Sequence, residues 1–170
     1  MPRGTLIILL FSLCLVGCFS TTKPVAWKSG DVVFADFHYF DIQPVANATG
    51  HTVMQNIPIL LTDSLKQEFM ARNLQLVDGQ QTGNEILVVQ SEILNYKFQF
   101  FTGPPPPSRN IIGLCSLRTR LIQKSTGHII GEIITTNQVD VGRGMLEAKT
   151  PDSLLQESAA QIAREVAKMR

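Results

Sequence analysis

Two hydrophobic rhythms alternate along this chain, one of period two and one of period three to four. Over residues 32–40, Val33, Ala35, Phe37 and Tyr39 alternate with Phe34, Asp36 and His38, which predicts a strand. Residues 43–51 then read as loop, with Pro44, Asn47 and Gly50. Over residues 57–72, Ile57, Leu61, Leu65 and Phe69 recur every four positions, one face of a helix. Asn56 suits the cap of that helix and Pro58 its first turn, while Asn73 suits a left-handed stop. Residues 74–77 predict a short strand ended by Asp78-Gly79.

The stretch 85–101 is apolar at Leu87, Val89 and Ile93, then at Leu94, Tyr96, Phe98 and Phe100. The apolar phase shifts by one residue partway along. A slip of this kind inside a strand requires a bulge, here near Ile93 and Leu94. Gly103 and the four prolines 104–107 follow; prolines donate no ladder hydrogen bonds and favour an extended, solvated backbone. Residues 111–123 predict a strand with Cys115, Leu117, Thr119 and Leu121 on one side and Arg118 and Arg120 on the other. Lys124-Ser125-Thr126-Gly127 predicts a hairpin turn, with Gly127 supplying positive φ. The return strand, 129–141, carries Ile129, Ile133, Val139 and Val141 on its apolar face.

The last segment predicts a helix from its own chemistry. Thr150 suits the cap, Pro151 the first helical position, and Asp152 the positive end of the dipole. Leu155, Ala159, Ile162, Val166 and Met169 form the apolar stripe, and Gln156, Gln161, Arg164, Glu165 and Lys168 the polar one. The order of elements predicts an α+β two-layer sandwich: a mostly antiparallel sheet with two helices packed on one face.

Before the fold comes a different pattern. Arg3 precedes an apolar run, Leu6 to Val16, that ends in Leu15-Val16-Gly17-Cys18. A basic start, a short apolar core and a small-residue exit describe a secretion signal. The run is too short for a membrane span, which takes about 20 apolar residues. The exit resembles the lipobox of bacterial lipoproteins, and that resemblance implies lipidation at Cys18. The chain thus divides into a leader (1–17), a tether from Cys18 (18–30) and one domain (31–170).

Composition narrows the function classes. The 170 residues are 44% hydrophobic, enough for a core, and 17% charged. Loss of Arg3 with the leader leaves equal numbers of basic and acidic side chains, so no basic field draws nucleic acid. Cys14 leaves with the leader and Cys18 takes lipid, which leaves Cys115 alone in an apolar stretch, a small core residue. Asp36 and His38 would share a strand face, but no nucleophile motif accompanies them and an ordinary ion pair explains them better. Arg118 and Arg120 could clamp an anion, yet Glu132 faces them from the return strand and suits simple pairing. No ligand spacing points to a metal, and no motif points to a cofactor. The prolines Pro104, Pro105, Pro106 and Pro107, with Arg109, are the candidate contact for a protein partner, because a rigid extended segment loses little entropy on binding. A stiff connection that blocks edge pairing explains the same prolines.

Several segments carry a family resemblance: Val33-Phe34-Ala35-Asp36-Phe37, Leu87-Val88-Val89-Gln90-Ser91-Glu92-Ile93, the hairpin from Leu121 to Glu132, and Ala159-Ala160-Gln161-Ile162-Ala163. Together with Cys18 they resemble uncharacterised bacterial lipoproteins of the domain-of-unknown-function 4410 type. The resemblance implies an address and an architecture, and no activity. The expected function is a membrane-anchored envelope lipoprotein, not an enzyme, with a structural, assembly or accessory binding role and an envelope protein as partner. The alternative is a lipid or small-molecule carrier serving a transporter, which would need an apolar cavity between sheet and helices. The expected location faces the periplasm, at the outer membrane, since Phe19 stands where aspartate would signal inner-membrane retention.

Overall fold

The computed structural model describes residues 19–21, 23–53, 56–77, 80, 83, 85–101, 110–141 and 151–170; residues 19–21, 99–101, 110–112 and 139–141 are described by backbone pairing alone. The expected leader (1–17), Cys18, the prolines 104–107, Arg109 and the expected cap residue Thr150 lie outside these residues.

Among the described residues, one mixed eight-stranded sheet carries two helices. The elements are β1 (Phe19–Thr21), β2 (Val25–Lys28), a 3-10 turn (Phe34–Asp36), β3 (Tyr39–Ile42), β4 (Ala46–Asn47), α1 (Asn56–Ala71), β5 (Gln75–Leu76), β6 (Ile86–Phe101), β7 (Asn110–Gln123), β8 (Ile129–Val141) and α2 (Pro151–Met169). The order across the sheet is β1-β8-β7-β6-β3-β5, with β2 also on β8 and β4 also on β6. The long β6-β7-β8 meander is antiparallel, whereas β3 and β4 join β6 in parallel, and β5 joins β3 in parallel. The expected α+β architecture stands.

The alternation of β6, β7 and β8 explains the layer of helices. Leu87, Val89, Ser91 and Ile93, then Cys115, Leu117, Thr119 and Leu121, then Ile133, Thr135 and Asn137 are buried under α1 and α2. The register of β6 on β7 shifts between Ile93 and Asn95, where the apolar phase slips. Leu61, Leu65 and Phe69 of α1 are fully buried, as are Leu154, Ala159, Ile162 and Val166 of α2. Asn73 ends α1 at φ 57°, and Gly127 closes the β7–β8 turn at φ 72°.

Four expectations are corrected. Residues 32–38 do not form a strand: a 3-10 turn brings positions three apart to one side, so Phe34 and Phe37 bury together with ring centroids 6.0 Å apart, and Val33 is exposed. The tether segment is not free along its length, since β1 and β2 pair with β8 inside it. Ile129 is exposed because a second register shift, at Leu121 and Ile122, inserts Ile130 into the core in its place. Gln161 is buried, because α1 packs beside α2 and covers that flank of the helix.

Candidate functional site

A cleft of about 970 Å³ opens at one end of the helix layer. Its position follows from three local features. The bulge at Ile93 redirects β6, so Tyr96 and Phe98 continue the helix-side face past the bodies of the helices. Both helices begin there, α1 with Asn56, Ile57 and Leu60 at the cleft and α2 with Pro151 and Asp152. The loop after β4 closes the remaining side with Thr49, His51, Thr52 and Val53.

That loop is built by its own polar groups. Asn47 Nδ2 donates to the His51 carbonyl at 2.8 Å, and the Thr49 amide donates to Asn47 Oδ1 at 3.1 Å. Asn47 thus holds the loop that shapes the cleft rim. The start of α1 is tied to the same region, since the Val45 amide donates to Thr62 Oγ1 and Thr62 Oγ1 donates to the Pro58 carbonyl.

The floor is aromatic and apolar, with polar groups at the rim. Phe98 lies over Gly113 so closely that a Cβ there would meet its ring at 2.9 Å and Leu154 at 3.2 Å. Gly113 is therefore the position on β7 that lets the Phe98 ring approach the backbone this closely. Burial pushes the Tyr96 phenol up to about 12, with the nearby Cys115 and Asp152 adding to the effect, so it is a neutral hydroxyl at ordinary pH. Lys97 brings positive charge to the rim and Asp152 negative, with His51 as a polar side chain beside them. The two helix N-termini favour negative charge at the same place. The arrangement suits a ligand with an apolar body and a polar end.

The residues singled out in the sequence are distributed elsewhere. Asp36 and His38 are both exposed around the 3-10 turn and share no strand face. Arg118 Nε donates to Glu92 Oε1, and Arg120 lies 3.3 Å from Glu92 and 3.8 Å from Glu132, so both guanidiniums have carboxylate partners on the open face. Cys115 is fully buried beneath α2, and its thiol is pushed up to about 11 by burial, partly offset by a hydrogen bond with Ser158. Asn137 Nδ2 donates to Ser158 Oγ at 2.9 Å, and Ser158 Oγ donates to the Leu154 carbonyl, so these groups lock α2 to β8. Among the described residues no cluster of three or more His, Cys, Asp or Glu could hold a metal ion, and no helix is long and apolar enough to cross a membrane.

Sequence reasoning missed the cleft and one partly buried ion pair. Lys124 Nζ donates to Asp41 Oδ2 at 2.9 Å, and Gln43 Nε2 donates to Asp41 Oδ1, which fastens the β7–β8 turn to β3 at the opposite end of the molecule. The phase slip in β6 was the available signal for the cleft; nothing in the order of residues says which loop closes it.

The fold defines a class first: a two-layer α+β domain on a three-stranded antiparallel meander. Within that class the chain is similar to the PelC dodecamer of Paraburkholderia phytofirmans, at 10% identity over 86% of this chain and 96% of that one, with a TM-score of 0.55. A second crystal form of a PelC variant gives 10% identity, 82% and 97% coverage, and a TM-score of 0.54. A minor lipoprotein of Acinetobacter baumannii aligns at 13% identity, over 78% of this chain and 94% of that one, with a TM-score of 0.48. At 10% identity the likeness to PelC is one of fold. No family model matches the chain and no curated protein matches it in sequence, so the resemblance to lipoproteins of the 4410 type stands on the quoted residues alone.

Proposed function

We propose that this chain is a lipid-anchored protein of the bacterial cell envelope, facing the periplasm, with a non-enzymatic structural, assembly or accessory binding role. The observation that carries this reading is the junction between leader and fold. Leu15-Val16-Gly17-Cys18 is followed at once by β1, whose Phe19 pairs with Val139. A mature chain starting at Cys18 is stitched into the sheet edge from its second residue. Two or more acyl chains on Cys18 anchor stably, where one would not. A domain fastened this close to its anchor is held at a fixed height, which suits a scaffold better than a roaming carrier. PelC is a dodecamer, and the shared fold supports assembly with further copies or with an envelope protein as the form this role takes.

Crosslinking in intact cells, followed by detergent solubilisation of the envelope, tests the role. A discrete crosslinked species that contains further copies or an envelope protein is expected. A monomer alone overturns the assembly reading. The second reading, a lipid or small-molecule carrier, rests on the cleft of about 970 Å³. A monomer whose native mass includes bound lipid would put that reading first.

A further inference from the structure

The sheet has a face that neither helix covers. α1 and α2 pack over Ile133, Thr135 and Asn137 of β8 and over their buried neighbours on β7 and β6. The alternate residues of these strands point to the other side. Two rows cross that side. Trp27, Glu132, Arg120 and Gln90 are register partners on β2, β8, β7 and β6, and so are Val25, Ile134, Arg118 and Glu92. Val25 is 67% exposed and Trp27 47%. Lys28, the charge that would guard this edge against pairing, points the other way: its Nζ donates to the Met169 carbonyl and lies 5.8 Å from the centre of the Phe34 ring.

The first row reads aromatic, acid, base, amide, and it complements itself when turned end for end. A second copy related by a two-fold axis that runs along the strands, between β7 and β8, sets Glu132 against Arg120 of that copy and Trp27 against its Gln90. In the second row Ile134 meets the apolar stem of Arg118. Isologous contacts need this property, because residue i must meet j wherever j meets i. The charges balance, two arginines against two glutamates, and both arginines keep Glu92 as a partner within each copy. Tryptophan and arginine are also the residues on which interface energy concentrates. Four strands across, and from Leu114 to Ile122 along β7, the face measures about 19 Å by about 26 Å. Two copies would thus cover about 1,000 Å², the floor for a specific interface. The same axis leaves β1 of both copies at one end, so both chains reach a single membrane.

We propose that the open face of β2, β8, β7 and β6 is a self-association surface, on which two copies pack sheet to sheet about a two-fold axis parallel to the strands. This rests on the assembly reading above and names a second copy as the partner.

Trp27 is the only tryptophan of the chain, so its emission reports on this face alone. The test follows that emission in the acylated mature protein, in detergent and in phosphatidylcholine vesicles, as concentration rises. A blue shift and loss of acrylamide quenching are expected as the mass doubles. Benzoylphenylalanine in place of Gln90 should crosslink to residues 25–28 of a second copy; within one copy Trp27 is three strand spacings away, about 14 Å, out of reach. Arg120→Glu sets like charges together and should weaken association about tenfold or more, and adding Glu132→Arg should restore it. Should either variant melt early, Val25→Glu sets a carboxylate against Glu92 of the second copy, and should weaken association while the melt stays that of the parent. A dimer whose Trp27 stays quenchable, with no crosslink from position 90, overturns this face and leaves assembly standing. A monomer at every concentration overturns the face as well, and the assembly reading then survives only through an envelope protein crosslinked in cells. Emission quenched by lipids brominated along the acyl chain also overturns the proposal, because Trp27 would then sit in lipid.

Discussion

Burial of Cys115 decides what its thiol can do. A thiol raised from its ordinary 9.0 to about 11 carries almost no thiolate at neutral pH, and no solvent reaches it. Modification by a thiol reagent should therefore run at the rate of unfolding, not at the rate of a free cysteine. The same burial has a pH signature. Below about pH 9 Cys115 and Tyr96 are protonated in both the folded and the unfolded chain, so they add no pH dependence. As pH rises from about 9 to about 12 the unfolded chain releases these protons first, and stability falls. Urea midpoints measured from neutral to alkaline pH should show the decline, and Cys115→Ala should flatten its onset. Gly113 gives a second residue-level test. Gly113→Val places branched carbons into the Phe98 ring and Leu154, and overpacking of that kind costs about 1–3 kcal/mol. A melt of Gly113→Val unchanged from the parent would mean that Phe98 moves freely. Asn73 and Gly127 were legible from the sequence, because left-handed backbone selects those residue types locally. Gln161 and Ile129 were not, because their burial is set by a neighbouring helix and by a bulge.

Elements with a long, clean rhythm could be read from the chain alone. The sixteen-residue β6 declared its bulge through the phase slip, and α1 declared itself through Ile57, Leu61, Leu65 and Phe69. Short elements could not. β1 and β2, of three and four residues, show no period that would separate them from a tether; they exist because the edge of β8 offers unpaired hydrogen-bonding groups. The 3-10 turn at Phe34–Asp36 was misread because Phe34 and Phe37 are three apart, a spacing that alternation cannot represent. At this scale α2 is the element on which the fold depends. Leu154, Leu155, Ile162 and Val166 are at most 1% exposed, and burying each contributes about 1.5–3 kcal/mol. Their total is comparable with the 5–15 kcal/mol of a typical domain. A chain ending before Pro151 should lose cooperative unfolding by circular dichroism; a melt near the parent's temperature would show that α2 is peripheral.

At the scale of the whole molecule, both helices start at the end of the sheet where β1 begins, and the cleft lies at that same end. The class of fold was legible because strands and helices fell in a recognisable order. The parallel placement of β3 and β4 on β6, and hence the loop that closes the cleft, was not, since those pairings join segments more than forty residues apart. The proposed attachment at Cys18 leads into the sheet at that same end, so the account turns on Cys18. The most direct measurement is the mass of the mature N-terminal peptide from purified envelopes, taken beside fractionation of Cys18→Ser. The account predicts a peptide that begins at Cys18 and bears acyl chains, and a Cys18→Ser protein that is folded but no longer sediments with membranes. An unacylated N-terminus elsewhere in the chain, or a Cys18→Ser protein that stays membrane-bound at high salt, would contradict it.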